Sequence, residues 1–100
     1  MELQVDFENS ELDEKLQESI ICRIKKRFNK SFISSVKVII KKPSGSNKVW
    51  TSEIDLVSAA GSILHTQSKG TANILAFDAA LMSMEKQITY LKNEKLAQRA

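Results

Sequence analysis

Residues 71–96, TANILAFDAALMSMEKQITYLKNEKL, decide the fold. Ile74, Phe77, Leu81, Met84, Ile88 and Leu91 recur there at steps of three and four. At ~100° per residue they form one narrow apolar stripe, so the segment is a long amphipathic helix with one face to bury. The stripe stops at Leu91, and Lys92, Lys95 and Arg99 continue the same face. A face that is apolar for about five turns and then cationic packs on a layer and runs past its edge. Its free end offers positive charge to a partner.

Working outward, Lys69-Gly70 turns the chain into this helix, with Thr71 as its expected N-cap. Ile63 to Ser68 form a short strand, and Gly61 separates it from the one before. In that earlier strand Trp50, Ile54 and Leu56 lie on one side, with Thr51, Glu53 and Asp55 on the other. PSGSNK, residues 43–48, is the only Pro/Gly/Ser cluster and marks a hairpin-like turn. Val36, Val38 and Ile40 belong to a further strand, where Ile39 implies burial on both sides in places. Upstream, a helix is expected from about Glu11 to Asn29. Leu16, Ile20, Ile21, Ile24 and Phe28 share its apolar face, and Asn9 or Ser10 caps it. At the start of the chain Leu3, Val5 and Phe7 alternate with Glu2, Gln4, Asp6 and Glu8, the pattern of a half-buried strand.

The order β-α-β-β-β-α predicts an α+β two-layer sandwich with a four-stranded mixed sheet and both helices on one face. The first crossover is right-handed, so its two strands run parallel if adjacent, and the tight turns make the rest antiparallel. The other sheet face is open to solvent.

One hundred residues make one domain, 1–100, with a single core. The composition, 42% hydrophobic and 27% charged, is that of an ordinary soluble domain. The net charge of +3 permits a nucleic-acid partner without requiring one, so placement decides. Cys22 is the only cysteine, which rules out an internal disulfide and fits a reducing, cytoplasmic compartment. The acidic N-terminal stretch is not that of a signal or transit peptide. No apolar run reaches the ~18 residues of a membrane span.

On the first helix Lys15, Arg23, Lys26 and Lys30 fall within an arc of about 80°, pointing away from the apolar stripe. Acids at its start and bases at its end also complement the helix dipole, which needs no ligand. Lys86, Lys92, Lys95 and Arg99 of the second helix share the exposed helical surface. Two basic faces side by side bind phosphates more readily than one.

No catalytic signature is present. Gly45, Gly61 and Gly70 are isolated, so there is no glycine-rich phosphate loop. His65, the only histidine, builds neither a metal site nor a catalytic pair alone. Cys22 is expected to be a half-buried, inert thiol. Asp78 is expected to interact with the helix N-terminus or to pair with a nearby Lys or Arg. Trp50 is assigned to the core, and Tyr90, off the stripe, is the better candidate for an exposed contact. Leu75, Ala79 and Met82 lie on the outer side of the second helix, either meeting the first helix or forming an apolar patch for a protein partner.

Gly61-Ser-Ile-Leu-His65 followed by Gly70, then Ala76-Phe77-Asp78-Ala79 and Lys86-Gln87-Ile88-Thr89, together with Leu16, Arg23 and Lys26, resemble the ribosome hibernation promoting factor family. That family includes the ribosome-associated inhibitor protein Y and is also described as sigma-54 modulation proteins. The chain departs from the family pattern at Ala72, Ile74, Met82, Ser83 and Tyr90, and Phe7-Glu8-Asn9 stands where a different turn is common. The resemblance implies the fold derived above, a double-stranded-RNA-binding-domain-like sandwich. It implies a translation inhibitor active in stationary phase and stress, with no cofactor. Such a protein binds ribosomal RNA of the small subunit in the decoding channel and excludes messenger and transfer RNA. It implies a short, monomeric member without the C-terminal dimerisation domain of long members. The expected RNA contacts are Arg23, Lys26, Lys30, Lys86 and Lys92, followed by Lys95, Arg99 and Lys69. The alternative is a regulatory module that docks a protein through the open sheet face or the apolar helix patch.

Overall fold

Two periodicities partition this chain, and the computed structural model follows both. It describes residues 2–11, 13–28, 33–46 and 48–99, with side chains described through residue 90. Period-two segments form β1 (Glu2–Glu8), β2 (Ile33–Lys41), β3 (Trp50–Ser58) and β4 (Ile63–Gly70). Period-3.6 segments form α1 (Glu14–Phe28) and α2 (Asn73–Arg99). The sheet order is β1-β2-β3-β4, with β1 parallel to β2 and the other pairs antiparallel. The crossover and the tight turns require this pattern.

Register carries the alternation across the whole sheet. Val5 sits beside Val38, Val38 beside Ile54, and Ile54 beside Thr66. This row and its alternate neighbours face the helices. Val36, Val38, Ile40, Ile54 and Leu56 are buried there against Ile20, Ile24 and Phe28 of α1 and Phe77, Ala80, Leu81, Met84 and Ile88 of α2. Trp50 packs half-buried against the same core, as its alternation with Ile54 and Leu56 predicts. The opposite face carries polar and charged residues. His65 pairs there with Asp55, and Lys41 Nζ lies 3.0 Å from Glu53. The Glu53 hydrogen bond and charge, helped by Glu8, hold the Lys41 ammonium above its ordinary pKa.

The helix starts differ from expectation. Asp13, not Asn9 or Ser10, caps α1: its Oδ1 accepts from the Leu16 amide at 3.1 Å, and its carbonyl from Gln17 at 2.9 Å. Asn9 instead takes a left-handed conformation (φ 61°), which Asn tolerates better than most side chains and which turns the chain out of β1. The cap expected at Thr71 falls one residue later, where the Ala72 carbonyl accepts from Ala76 at 3.0 Å. Strand β4 runs through Lys69 and Gly70, so the turn into α2 begins later than the sequence implied. Cys22 is exposed, not half-buried, because it lies off the stripe on the solvent side of α1.

Helix α2 lies over β3 and β4, and α1 lies over β1. The first turn of α2 rests on the end of β4. A Cβ built on Gly70 would stand 2.7 Å from the Ala76 backbone nitrogen and 3.0 Å from the Leu75 carbonyl carbon. These are backbone atoms and cannot rotate aside. Gly70→Ala is therefore expected to cost about 1–3 kcal/mol, the usual penalty of overpacking. Thermal denaturation followed by circular dichroism checks this. An unchanged melting temperature would mean that α2 does not seat on β4 as described.

With 27 residues, α2 is about 40 Å long, against about 27 Å for β4. The two are level at the α2 N-terminus, so α2 overhangs the sheet at its other end. The longest dimension of the chain is 52 Å. No helix among the described residues is long and apolar enough to cross a membrane.

Candidate nucleic-acid interface

The crossover and the two following hairpins leave α1 and α2 parallel on one sheet face. Two cross-helix ion pairs fix their level: Arg23 with Asp78, and Arg27 with Glu85 at 2.8 Å. Residue numbers rise together along both helices, as parallel packing requires. Each pair lies on the flank where the helices face each other. Asp78 thus pairs with an arginine, one of the two expectations for it, and Arg23 is not a free cation.

The expected contacts whose side chains are described separate into three groups. Lys26 and Lys86 form the first. Each lies roughly 160° round its helix from the buried stripe, at ~100° per residue. Both are exposed and have no ion-pair or hydrogen-bond partner among the described residues. Lys26 precedes Arg27 and Lys86 follows Glu85, so their rise along the helices, ~1.5 Å per residue, places them almost level. They stand on either side of the inter-helix groove and point away from the sheet.

Arg23 forms the second group: it is on the groove but paired. Lys69 is the third, and the structure sets it apart from the others. Lys69 pairs in register with Thr51 and shares the solvent face of the sheet with His65 and Gln67, opposite the helices. Strand alternation sends it there, so it does not join the helical surface. Lys30 lies outside the described residues. Lys92, Lys95 and Arg99 are carried on the overhanging backbone of α2, and their side chains lie outside the described residues.

Sequence reasoning placed Arg27 only among the bases at the end of α1 and left Glu85 unmarked. The signal was present. Arg23 and Arg27 are four apart, Asp78 and Glu85 seven apart, and each spacing keeps both residues on one helix flank. Both pairs are partly exposed, so each contributes at most about 1 kcal/mol. They lower the positive potential over the groove without closing it. Asp78→Asn with Glu85→Gln releases both guanidiniums. The double variant is expected to bind single- or double-stranded RNA more tightly and to add up to about 1.5 to the log–log salt slope. Filter binding across a salt series measures this. An unchanged slope would mean that Arg23 and Arg27 do not reach phosphate.

Leu75, Ala79 and Met82 are exposed on the outer side of α2 beside Lys86 and do not meet α1 as a packed layer. Tyr90 is exposed as well, at 67%. Among the described residues no group of three or more His, Cys, Asp and Glu could hold a metal ion.

The layers, strand order and parallel helices define an α+β sandwich with a partly compensated cationic helical surface. No protein-family model matches the sequence, and no curated protein matches it. Solved structures share the fold. A ribosomal subunit interface protein from Coxiella burnetii superposes with a TM-score of 0.81 at 14% identity, covering 93% of this chain and 99% of that chain. The N-terminal domain of Protein Y from Thermus thermophilus superposes with a TM-score of 0.77 at 15% identity, covering 91% of this chain and 99% of that one. At such identities the likeness establishes the architecture.

Proposed function

We propose that this protein is a non-enzymatic member of the ribosome hibernation promoting factor family. In this reading it binds the small ribosomal subunit as a monomer in the cytoplasm. The observation that carries the proposal is the placement of Lys26 and Lys86, level and unpaired among the described residues, on the two parallel helices of a fold shared with a ribosomal subunit interface protein and with Protein Y. Lysines on helix faces read phosphate and shape, not base sequence, which suits folded ribosomal RNA.

The mechanism is steric. A rigid wedge seats its helices in the decoding channel and excludes messenger RNA, transfer RNA and initiation factors. Lys26 and Lys86 contact phosphates, and Arg23 joins them by exchanging Asp78 for phosphate. The overhanging end of α2, with Lys92, Lys95 and Arg99, and Lys30 beyond α1 extend the contact. Lys69, on the opposite sheet face, stays outside the channel contact in this reading. The protein acts in stationary phase and stress, when ribosomes are idle.

Sucrose-gradient sedimentation of ribosomal subunits with added protein tests the proposal. Co-migration with small subunits is expected, weakening as salt rises, each phosphate contact adding roughly 0.7–0.9 to the log–log slope. Binding to any RNA duplex equally well would reduce the protein to a generic double-stranded-RNA binder. A second reading rests on the exposure of Leu75, Ala79 and Met82: that ridge docks a regulatory protein. Such an apolar interface predicts little change of affinity with salt.

A further inference from the structure

The edge of the sheet at β1 is open in a way that the β4 edge is not. At β4, Gln87 of α2 donates its Nε2–H to the His65 carbonyl at 3.1 Å, so part of that edge is capped. At β1 the direction of the backbone follows from one bond. The Lys42 amide donates to the Glu8 carbonyl at 3.1 Å, so Glu8 points into the sheet. Backbone direction alternates along a strand, so the amides and carbonyls of Leu3, Val5 and Phe7 point outward. Among the described residues nothing pairs with them.

The same three residues leave an apolar row incomplete. Their register partners Val36, Val38 and Ile40 are 1%, 0% and 0% exposed, whereas Leu3, Val5 and Phe7 are only half-buried. The solvent side of the edge is acidic. Glu2, Asp6 and Glu8 project from β1, and the flank of α1 away from α2 carries exposed Glu14 and Glu18, with Lys25 as the one base among them toward the other end of the helix. Two lysines of β2 offset these acids in part. Lys37 lies 3.8 Å from Asp6, and Lys41 lies 3.8 Å from Glu8 but 3.0 Å from Glu53.

We propose that the β1 edge is a docking site for an extended peptide segment of a partner protein in which apolar and cationic residues alternate. Such a segment adds a fifth strand. Its backbone satisfies the outward groups of Leu3, Val5 and Phe7. Its apolar side chains complete the row beneath α1, and its cations face Asp6 and Glu8. A second copy of this chain is not the occupant, because β1 against β1 sets like charges side by side. The site is separate from the helical surface and does not depend on ribosome binding.

Amide hydrogen exchange on the isotope-labelled protein tests this, with three synthetic peptides as probes: a Lys-Val repeat, a Glu-Val repeat, and a Lys-Val repeat interrupted by prolines. The Lys-Val repeat is expected to slow exchange at Leu3, Val5 and Phe7 by on the order of tenfold or more, and the other two peptides to leave it unchanged. Val5→Pro removes an outward N–H that the sheet does not use and is expected to abolish the protection. Asp6→Lys with Glu8→Lys is expected to reverse the preference toward the Glu-Val repeat, and it provides the test should Val5→Pro fail to fold. Equal protection by all peptides, chemical-shift changes without slowed exchange, or no change at all would each overturn the proposal.

Discussion

Replacing Lys26 and Lys86 together with glutamate is expected to abolish co-sedimentation with small ribosomal subunits. The double change turns the two cations that flank the groove into anions. Each lost phosphate contact removes about 0.7–0.9 from the salt slope, and each new carboxylate repels the backbone it faced. Affinity should fall by at least about a hundredfold near physiological salt, because two charge contacts are lost and two repulsions replace them. Both side chains are exposed and unpartnered among the described residues, so stability should change by no more than about 0.5 kcal/mol. Gradient fractions and a thermal melt on the same sample separate loss of binding from loss of fold. If the folded double variant still migrates with small subunits, the helical groove is not the contact surface. Lys69→Glu is the internal control: on the opposite sheet face, it should bind like the unaltered protein.

Phe77→Ala carries the largest expected effect on stability. Phe77 is fully buried on the α2 stripe, among the core side chains of both layers. Removing the ring costs its transfer free energy and leaves a cavity that a two-layer core cannot collapse, about 3–5 kcal/mol in all. Domains of this size hold only ~5–15 kcal/mol, so the melting temperature should drop by on the order of 15–30 °C. Leu75→Ala, two residues away on the exposed face, should stay within about 0.5 kcal/mol of the unaltered protein. Chemical denaturation of the two variants side by side gives both values. A small effect at Phe77 would mean that the stripe does not face the sheet and that the layer assignment is wrong.

The contrast between these two neighbours shows why the fold was legible. Period alone told Phe77 from Leu75, because at ~100° per residue they point to different sides of any helix. It likewise told Val38 from Lys37 and Ile54 from Asp55 on their strands. Element boundaries were less legible. The choice of Asp13 over Asn9 or Ser10 as cap depends on where β1 lets go of the chain, and that depends on the length of its partner β2.

The site divided differently. Lys26 and Lys86 were legible because a side chain opposite an apolar stripe faces water whatever lies beneath. Lys69 was misplaced because its position one residue before Gly70 was read as a turn. The β3–β4 ladder extends through it, and pleating then sends it to the far face. Arg23 was legible as basic but not as engaged. Its carboxylate stands 55 residues away, and only the relative level of two helices brings them together.

The amino-acid sequence determined which residues are apolar at which period, and thereby the elements, their two layers and the outward side of each helix. These follow from local geometry and the free energy of removing apolar surface from water. The tertiary structure decided which charges meet, which face of the sheet Lys69 takes and which sheet edge stays open. Those outcomes depend on strand register and helix level, which arise from packing between segments distant in the chain.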